Sequence, residues 1–197
     1  AIDHLQYILS KTPNHPEAAL CLGKAYNKRG QPDNAIPYLK KILVQSPDNA
    51  AACIALGTSY TLKNNLNQAT AWLQHAIQIQ PTSATAHNNL GNVMARRGKA
   101  EEAQNLYQKA LQYSPKYETA RKNLANLCAR TNHIDQAIHH FSKLTETIPS
   151  DPVLLYKMGL LYEKKGDLLA ALKLYQDLFN QYPASRPFLP AWTTVVP

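Results

Sequence analysis

Three kinds of side chain in this sequence could carry chemistry: metal-binding histidines and cysteines, nucleophiles with a base beside them, and amides or cations set to hold a ligand. The first kind is present without a site. His139 and His140 are adjacent, with His133 nearby, but neighbours on one helix diverge by about 100°. No carboxylate or thiol is spaced to complete a coordination sphere. Cys21, Cys53 and Cys128 show no C-x-x-C spacing and leave an odd one over, so neither zinc nor a disulfide framework is expected. The cysteines read as buried small residues and the histidines as a solvated outer face. No phosphate-binding loop, nucleophile elbow, H-E-x-x-H pair or dinucleotide fingerprint occurs. The expectation is a non-enzyme with no catalytic residue, no metal and no cofactor.

The third kind is abundant. AHNNLGNVMAR carries Asn88, Asn89, Asn92 and Arg96, and ARKNLANLCAR carries Lys122, Asn123, Asn126 and Arg130 at the same relative places. Spacings of i, i+3, i+4 and i+7 put such residues on one side of a helix. Asparagine has both a donor and an acceptor, so a row of them can hold an extended peptide backbone without reading its side chains. Five or six such bonds, at a net ~0.5–1.5 kcal/mol each, approach the ~8 kcal/mol of micromolar binding before the ordering cost of the peptide.

A repeat positions these residues. All seven glycines lie on a 34-residue ruler: Gly23, Gly57, Gly91 and Gly159 on one mark, Gly30, Gly98 and Gly166 on another. Pro13, Pro47, Pro81, Pro115, Pro149 and Pro183 follow the same ruler, as do Ala1, Ala35, Ala69, Ala103, Ala137 and Ala171. A fixed period of this length marks a solenoid built from one supersecondary unit. Within residues 84–117, the spacing of Ala86, Leu90, Val93 and Met94, and of Ala103, Leu106, Tyr107, Ala110 and Leu111, predicts two amphipathic helices.

Gly98 falls just past the first helix, where a left-handed residue ends it, and Asn64 and Asn132 take that place in the units lacking glycine. The prolines close each second helix. Glycine at the mid-helix mark, with Ala125 in one unit, costs ~1 kcal/mol against alanine and implies a close helix crossing. The later alanine of each unit is expected opposite it. Leu22, Leu56, Leu90, Leu124 and Met158, with Leu39, Leu73, Tyr107, Phe141 and Tyr175, are expected to fill the core, as are Tyr26, Tyr60 and Tyr162.

Composition bounds the partner. With 45% apolar residues the 197-residue chain is too hydrophobic for disorder, and 21 basic against 13 acidic residues give +8 and an isoelectric point near 9.4. No apolar run approaches the ~20 residues of a membrane span, and AIDHLQYILS lacks a signal-peptide plan. A soluble segment is expected, in the reducing cytoplasm if anywhere, with no membrane partner.

The pattern resembles the tetratricopeptide repeat, with its W-x2-L-G-x2-Y, A-x3-F and P signature. Leu22-Gly23 with Tyr26, Ala35 with Leu39, and Pro47 match it, and four further units follow in phase. Met94, Cys128 and Tyr162 take the tyrosine place, while Ala19, Cys53, His87, Arg121 and Leu155 replace the opening aromatic. The resemblance implies an all-α, right-handed solenoid of helix-turn-helix units, whose first helices line a concave groove that binds peptides or partner proteins.

On that frame the sequence divides into the second helix of a truncated unit (1–15), five consecutive units (16–183) and a Pro-rich apolar tail (184–197). The array is expected to extend further toward the N-terminus. Pro187 and Pro190 stop the tail from being another first helix. Its Phe188, Leu189, Trp192, Val195 and Val196 are expected to cover the solenoid's end or enter another molecule's groove, a route to self-association.

The asparagine-lined inner face is similar to the superhelix of O-linked N-acetylglucosamine transferases, although Cys21, Ala55 and Lys157 stand where Asn89 and Asn123 have their equivalents. A more distant likeness is to the carboxylate clamp of chaperone-binding repeat domains, through Asn92, Asn123 and Lys157, from which Asn88 and Val153 depart. Of the thirty groove positions in five units, Lys24, Lys28, Arg96, Lys122, Arg130, Lys157 and Lys164 are basic, and Glu17 and Glu163 acidic. The expected ligand is therefore an acidic segment or a chain-terminal carboxylate, gripped by Arg96 and Arg130. Two other functions remain open: the targeting arm of a larger enzyme such as a glycosyltransferase, and, less favoured, salt-sensitive binding of nucleic acid.

Overall fold

The protein is described by a computed structural model over residues 2–147 and 151–182. The expectations placed on Ala1, Pro149, Pro183 and the 184–197 tail lie outside the described residues. Among those described there are eleven helices and no strand. They fall into two compact units, Ala1–Tyr117 and Glu118–Pro197.

The first unit holds α1 (Ile2–Lys11), α2 (Pro16–Lys28), α3 (Pro32–Gln45), α4 (Ala50–Leu62), α5 (Leu66–Ile79), α6 (Ala84–Arg96) and α7 (Ala100–Tyr113). Each helix packs on the next in chain order, and the first helices of successive repeats also meet, α2 on α4 and α4 on α6. The second unit holds α8 (Glu118–Arg130), α9 (Ile134–Thr145), α10 (Pro152–Lys165) and α11 (Leu168–Gln181), again packed in chain order. The backbones of α8 and α10 scarcely approach one another.

Local chemistry explains the boundaries. The turn inside each pair has one left-handed residue, Gly98 at φ 76°, or Asn64 at 58° and Asn132 at 64° where glycine is absent. First helices begin on polar caps: the side chains of Asn49, Ser83 and Asp151 accept from the N–H groups of Ala52, Ala86 and Leu154. Second helices end at Ser46, Gln80 and Ser114, held extended before Pro47, Pro81 and Pro115, with φ between −140° and −131°. α3 runs through Pro37 without ending.

Packing corrects one expectation. The mid-helix glycine does not face the later alanine of its pair; a Cβ on Gly23 would stand 2.6 Å from Leu39, on Gly57 2.6 Å from Leu73, on Gly91 2.6 Å from Tyr107 and on Gly159 2.4 Å from Tyr175. The alanines are buried all the same, Ala35, Ala69, Ala103, Ala137 and Ala171 having no exposed surface. The side chain one helical turn beyond the alanine is long enough to reach the first helix, so it makes the contact. The expected Leu22, Leu56, Leu90, Leu124 and Met158 core is buried, as are Tyr26, Met94 and Cys128 on the tyrosine mark. Tyr60 and Tyr162 are only half-buried.

Candidate partner-binding face

In the first unit the expected stripe runs along α6, and most of it is engaged within the protein. Asn88 is a correction: it is 2% exposed and so is not presented to a ligand. It sits at the stripe's edge, ~100° around the helix from Asn89, and its Nδ2 donates to Asn89 Oδ1 at 3.1 Å. Asn89 and Asn92 are half-buried, and Arg96 is exposed. Asn89 Nδ2 donates to Thr58 Oγ1 on α4 at 3.2 Å, and Arg96 Nη1 donates to Thr61 O at 2.6 Å. Asn92 Oδ1 accepts from Tyr107 OH at 2.7 Å. These bonds stitch α6 to α4 and α7.

In the second unit the stripe residues divide between two cavities. Asn126, Arg130 and Lys157 line one of about 300 Å³, and Lys122 and Asn123 line another of about 220 Å³ with Glu118 and Asp151. The larger is the more distinctive. Phe141 and Leu161, both buried, line it with Ala129 and Leu160, together with Asn126, Arg130, Lys157 and Lys164. Lys157 Nζ donates to Asn126 Oδ1 at 2.7 Å and stands 5.8 Å from the centre of the Phe141 ring. Burial, then the charge of Lys122, hold the Lys157 ammonium below the usual lysine range, and Asp151 only partly opposes them.

Sequence and structure together decide the family. Tetratricopeptide repeat patterns match residues 27–92 and 94–161, and further patterns of the same family match 1–50 and 154–185. The chain belongs to the tetratricopeptide repeat family. No curated protein matches it. Among solved structures it is similar to Pseudomonas aeruginosa pilF, with 26% identity over 84% of this chain and 75% of that one and a TM-score of 0.76. A MamA protein shows 25% identity over 84% of this chain and 97% of its own, at a TM-score of 0.72. YrrB, described as a tetratricopeptide repeat protein with an unusual peptide-binding site, shares the fold at 18% identity and a TM-score of 0.67, covering 93% and 94% of the two chains.

Two other readings of this tetratricopeptide protein change. Cys21 is exposed rather than buried, because the first-helix stripe it occupies faces outward there, whereas Cys53 and Cys128 are buried. Burial raises both of those thiols. His140 is not on a solvated face: its Nδ1 is buried with no hydrogen-bond partner, while His139 is exposed. Among the described residues no group of three or more His, Cys, Asp or Glu could hold a metal ion, and no helix is long and apolar enough to cross a membrane.

Reasoning from the stripe alone missed Phe141 and Leu161 of the larger cavity. The signal was on the ruler: three repeat periods earlier, the mark of Leu161 holds Ser59 and that of Ala129 holds Asn27.

Proposed function

We propose that this chain is a non-catalytic interaction scaffold that holds an extended acidic peptide, or a chain-terminal carboxylate, along the face its first helices present. The observation that carries this reading is the larger cavity of the second unit, where Arg130, Lys157 and Lys164 come together and no lining residue is a carboxylate. A carboxylate arriving there exchanges water for charge-assisted hydrogen bonds, each roughly twice as strong as a neutral one. The close partners of Lys157 are neutral, an amide oxygen and an aromatic ring. Lys122, on α8 with Arg130, is exposed and extends the same chemistry. Membership of a family whose folds carry peptide-binding sites, as in YrrB, supports a protein partner.

The test is fluorescence anisotropy with pooled random peptides of equal length, one pool acidic and one basic, against the parent chain and the Arg130→Glu, Lys164→Glu double variant. The acidic pool should bind the parent and lose at least about tenfold in affinity for the variant, as expected for two charged contacts. Preference for the basic pool would refute the reading. A labelled single-stranded oligonucleotide serves as control: binding stronger than that of the acidic pool, and collapsing with salt, would mark a nucleic-acid protein instead.

A further inference from the structure

The larger cavity holds more than charge. Phe141, Leu161, Ala129 and Leu160 give it an apolar lining beside its three cations. Three repeat periods earlier, the marks of Ala129 and Leu161 hold Asn27 and Ser59. There Asn27 Nδ2 donates to Ala55 O at 2.8 Å, and Ser59 Oγ donates to Asn27 Oδ1 at 2.7 Å. That buried polar pair fills the α2–α4 junction. Its replacements have no side-chain polar atoms, and the α8 and α10 backbones scarcely approach one another. Leu160 remains 41% exposed although it borders an apolar hollow.

We infer that this cavity is a specificity pocket which takes one large apolar side chain of the partner, flanked on the partner's chain by carboxylates that reach Arg130, Lys157 and Lys164. The inference rests on the acidic-peptide reading and adds to it a requirement for an anchor. Cations alone would serve a uniformly acidic segment; an apolar lining in a cavity of about 300 Å³ rewards a phenylalanine, leucine, isoleucine or methionine. Charge complementarity selects an acidic partner over this chain's own tail, ASRPFLPAWTTVVP, which supplies apolar side chains but no Asp or Glu.

The test is a random dodecapeptide phage library panned on the full chain. Enriched peptides should carry one large apolar residue with Asp or Glu within two positions of it. Replacing that residue by serine should weaken binding to the parent at least about tenfold, the effect of losing a buried apolar side chain. The loss should shrink to a few-fold on Leu160→Ser and return on Leu160→Met.

Acidic peptides without an anchor, or an anchor effect equal in the parent and Leu160→Ser, would overturn the pocket and leave the acidic-peptide reading standing. Basic or uncharged peptides, or no enrichment at all, would overturn both. Enrichment obtained only with the Phe188→Ser, Trp192→Ser chain would make the tail the occupant. A dimer in sedimentation that Leu160→Ser dissolves would make it a second copy. Either result overturns the assignment to an acidic partner.

Discussion

The two units of this protein use the same packing and finish their first-helix junctions differently. In the first unit both junctions are closed by polar bonds: Asn27 and Ser59 between α2 and α4, then Asn89 with Thr58 and Arg96 with the Thr61 carbonyl between α4 and α6. In the second unit Lys157 donates to Asn126 across the α8–α10 junction, beside an apolar cavity of about 300 Å³. Cations follow the same division. α2, α4 and α6 carry Lys24, Lys28 and Arg96 on the stripe, whereas the shorter run of α8 and α10 carries Lys122, Arg130, Lys157 and Lys164. The repeat holds its core marks constant and varies the marks that face the neighbouring first helix, so recognition can be written there without unfolding the solenoid.

Breaking the shared part should cost most. Leu39→Ala in the first unit and Phe141→Ala in the second, at equivalent marks with 0% and 1% exposure, should each lose about 2–5 kcal/mol in urea unfolding. A loss below about 1 kcal/mol at either would show that the two cores are not equivalent. Next comes the polar closure. Asn27→Ala removes two buried bonds across the junction, leaving Ser59 Oγ only its bond to the Ala55 carbonyl at 3.1 Å, and should lose about 1–3 kcal/mol. Ala129→Ser at the matching mark should stay within about 0.5 kcal/mol, and equal costs would erase the contrast.

The reciprocal exchange sharpens it: Ala129→Asn with Leu161→Ser writes the first unit's pair into the second. The folded chain, checked by circular dichroism, should then lose about tenfold in affinity for anchored acidic peptides. Undiminished binding would place recognition elsewhere.

Acid should act on the second unit. Burial first, then the charges of His139 and Arg121, lower the pKa of His140 below 6.5. Between its folded value and 6.5 the unfolded chain binds the proton and the folded chain does not, so stability is present above 6.5 and is lost as pH falls through that window. His140→Leu should flatten the pH dependence of the urea midpoint there, and an unchanged slope would acquit His140. The smallest effect belongs to the surface ion pair of Lys63 with Asp33, whose side chains are 40% and 76% exposed. Lys63→Ala should cost under about 1 kcal/mol and fade in salt. Lys165 with Asp135 occupies the same marks in the second unit, so unequal salt sensitivity of the two pairs would be a further difference between the units.

Much of this was legible in the residues. Gly98, Asn64 and Asn132 fixed the turns because few residue types accept a left-handed backbone, and Pro47, Pro81 and Pro115 fixed the helix ends because proline lacks an N–H. The 34-residue period then set the order of the helices, since each amphipathic pair needs a neighbour to bury its face. The stripe of the candidate face was legible as helix geometry. Its availability was not: Asn88 turned inward, Asn89 and Arg96 found partners on α4, and Cys21 turned outward. Those outcomes depend on which side chain of the adjacent repeat lies opposite, and spacing along one helix is silent about that. Local rules thus determined the elements and their sequence, while only the packing of one repeat on the next decided that the α2–α4 junction would close on Asn27 and the α8–α10 junction would remain open over Phe141.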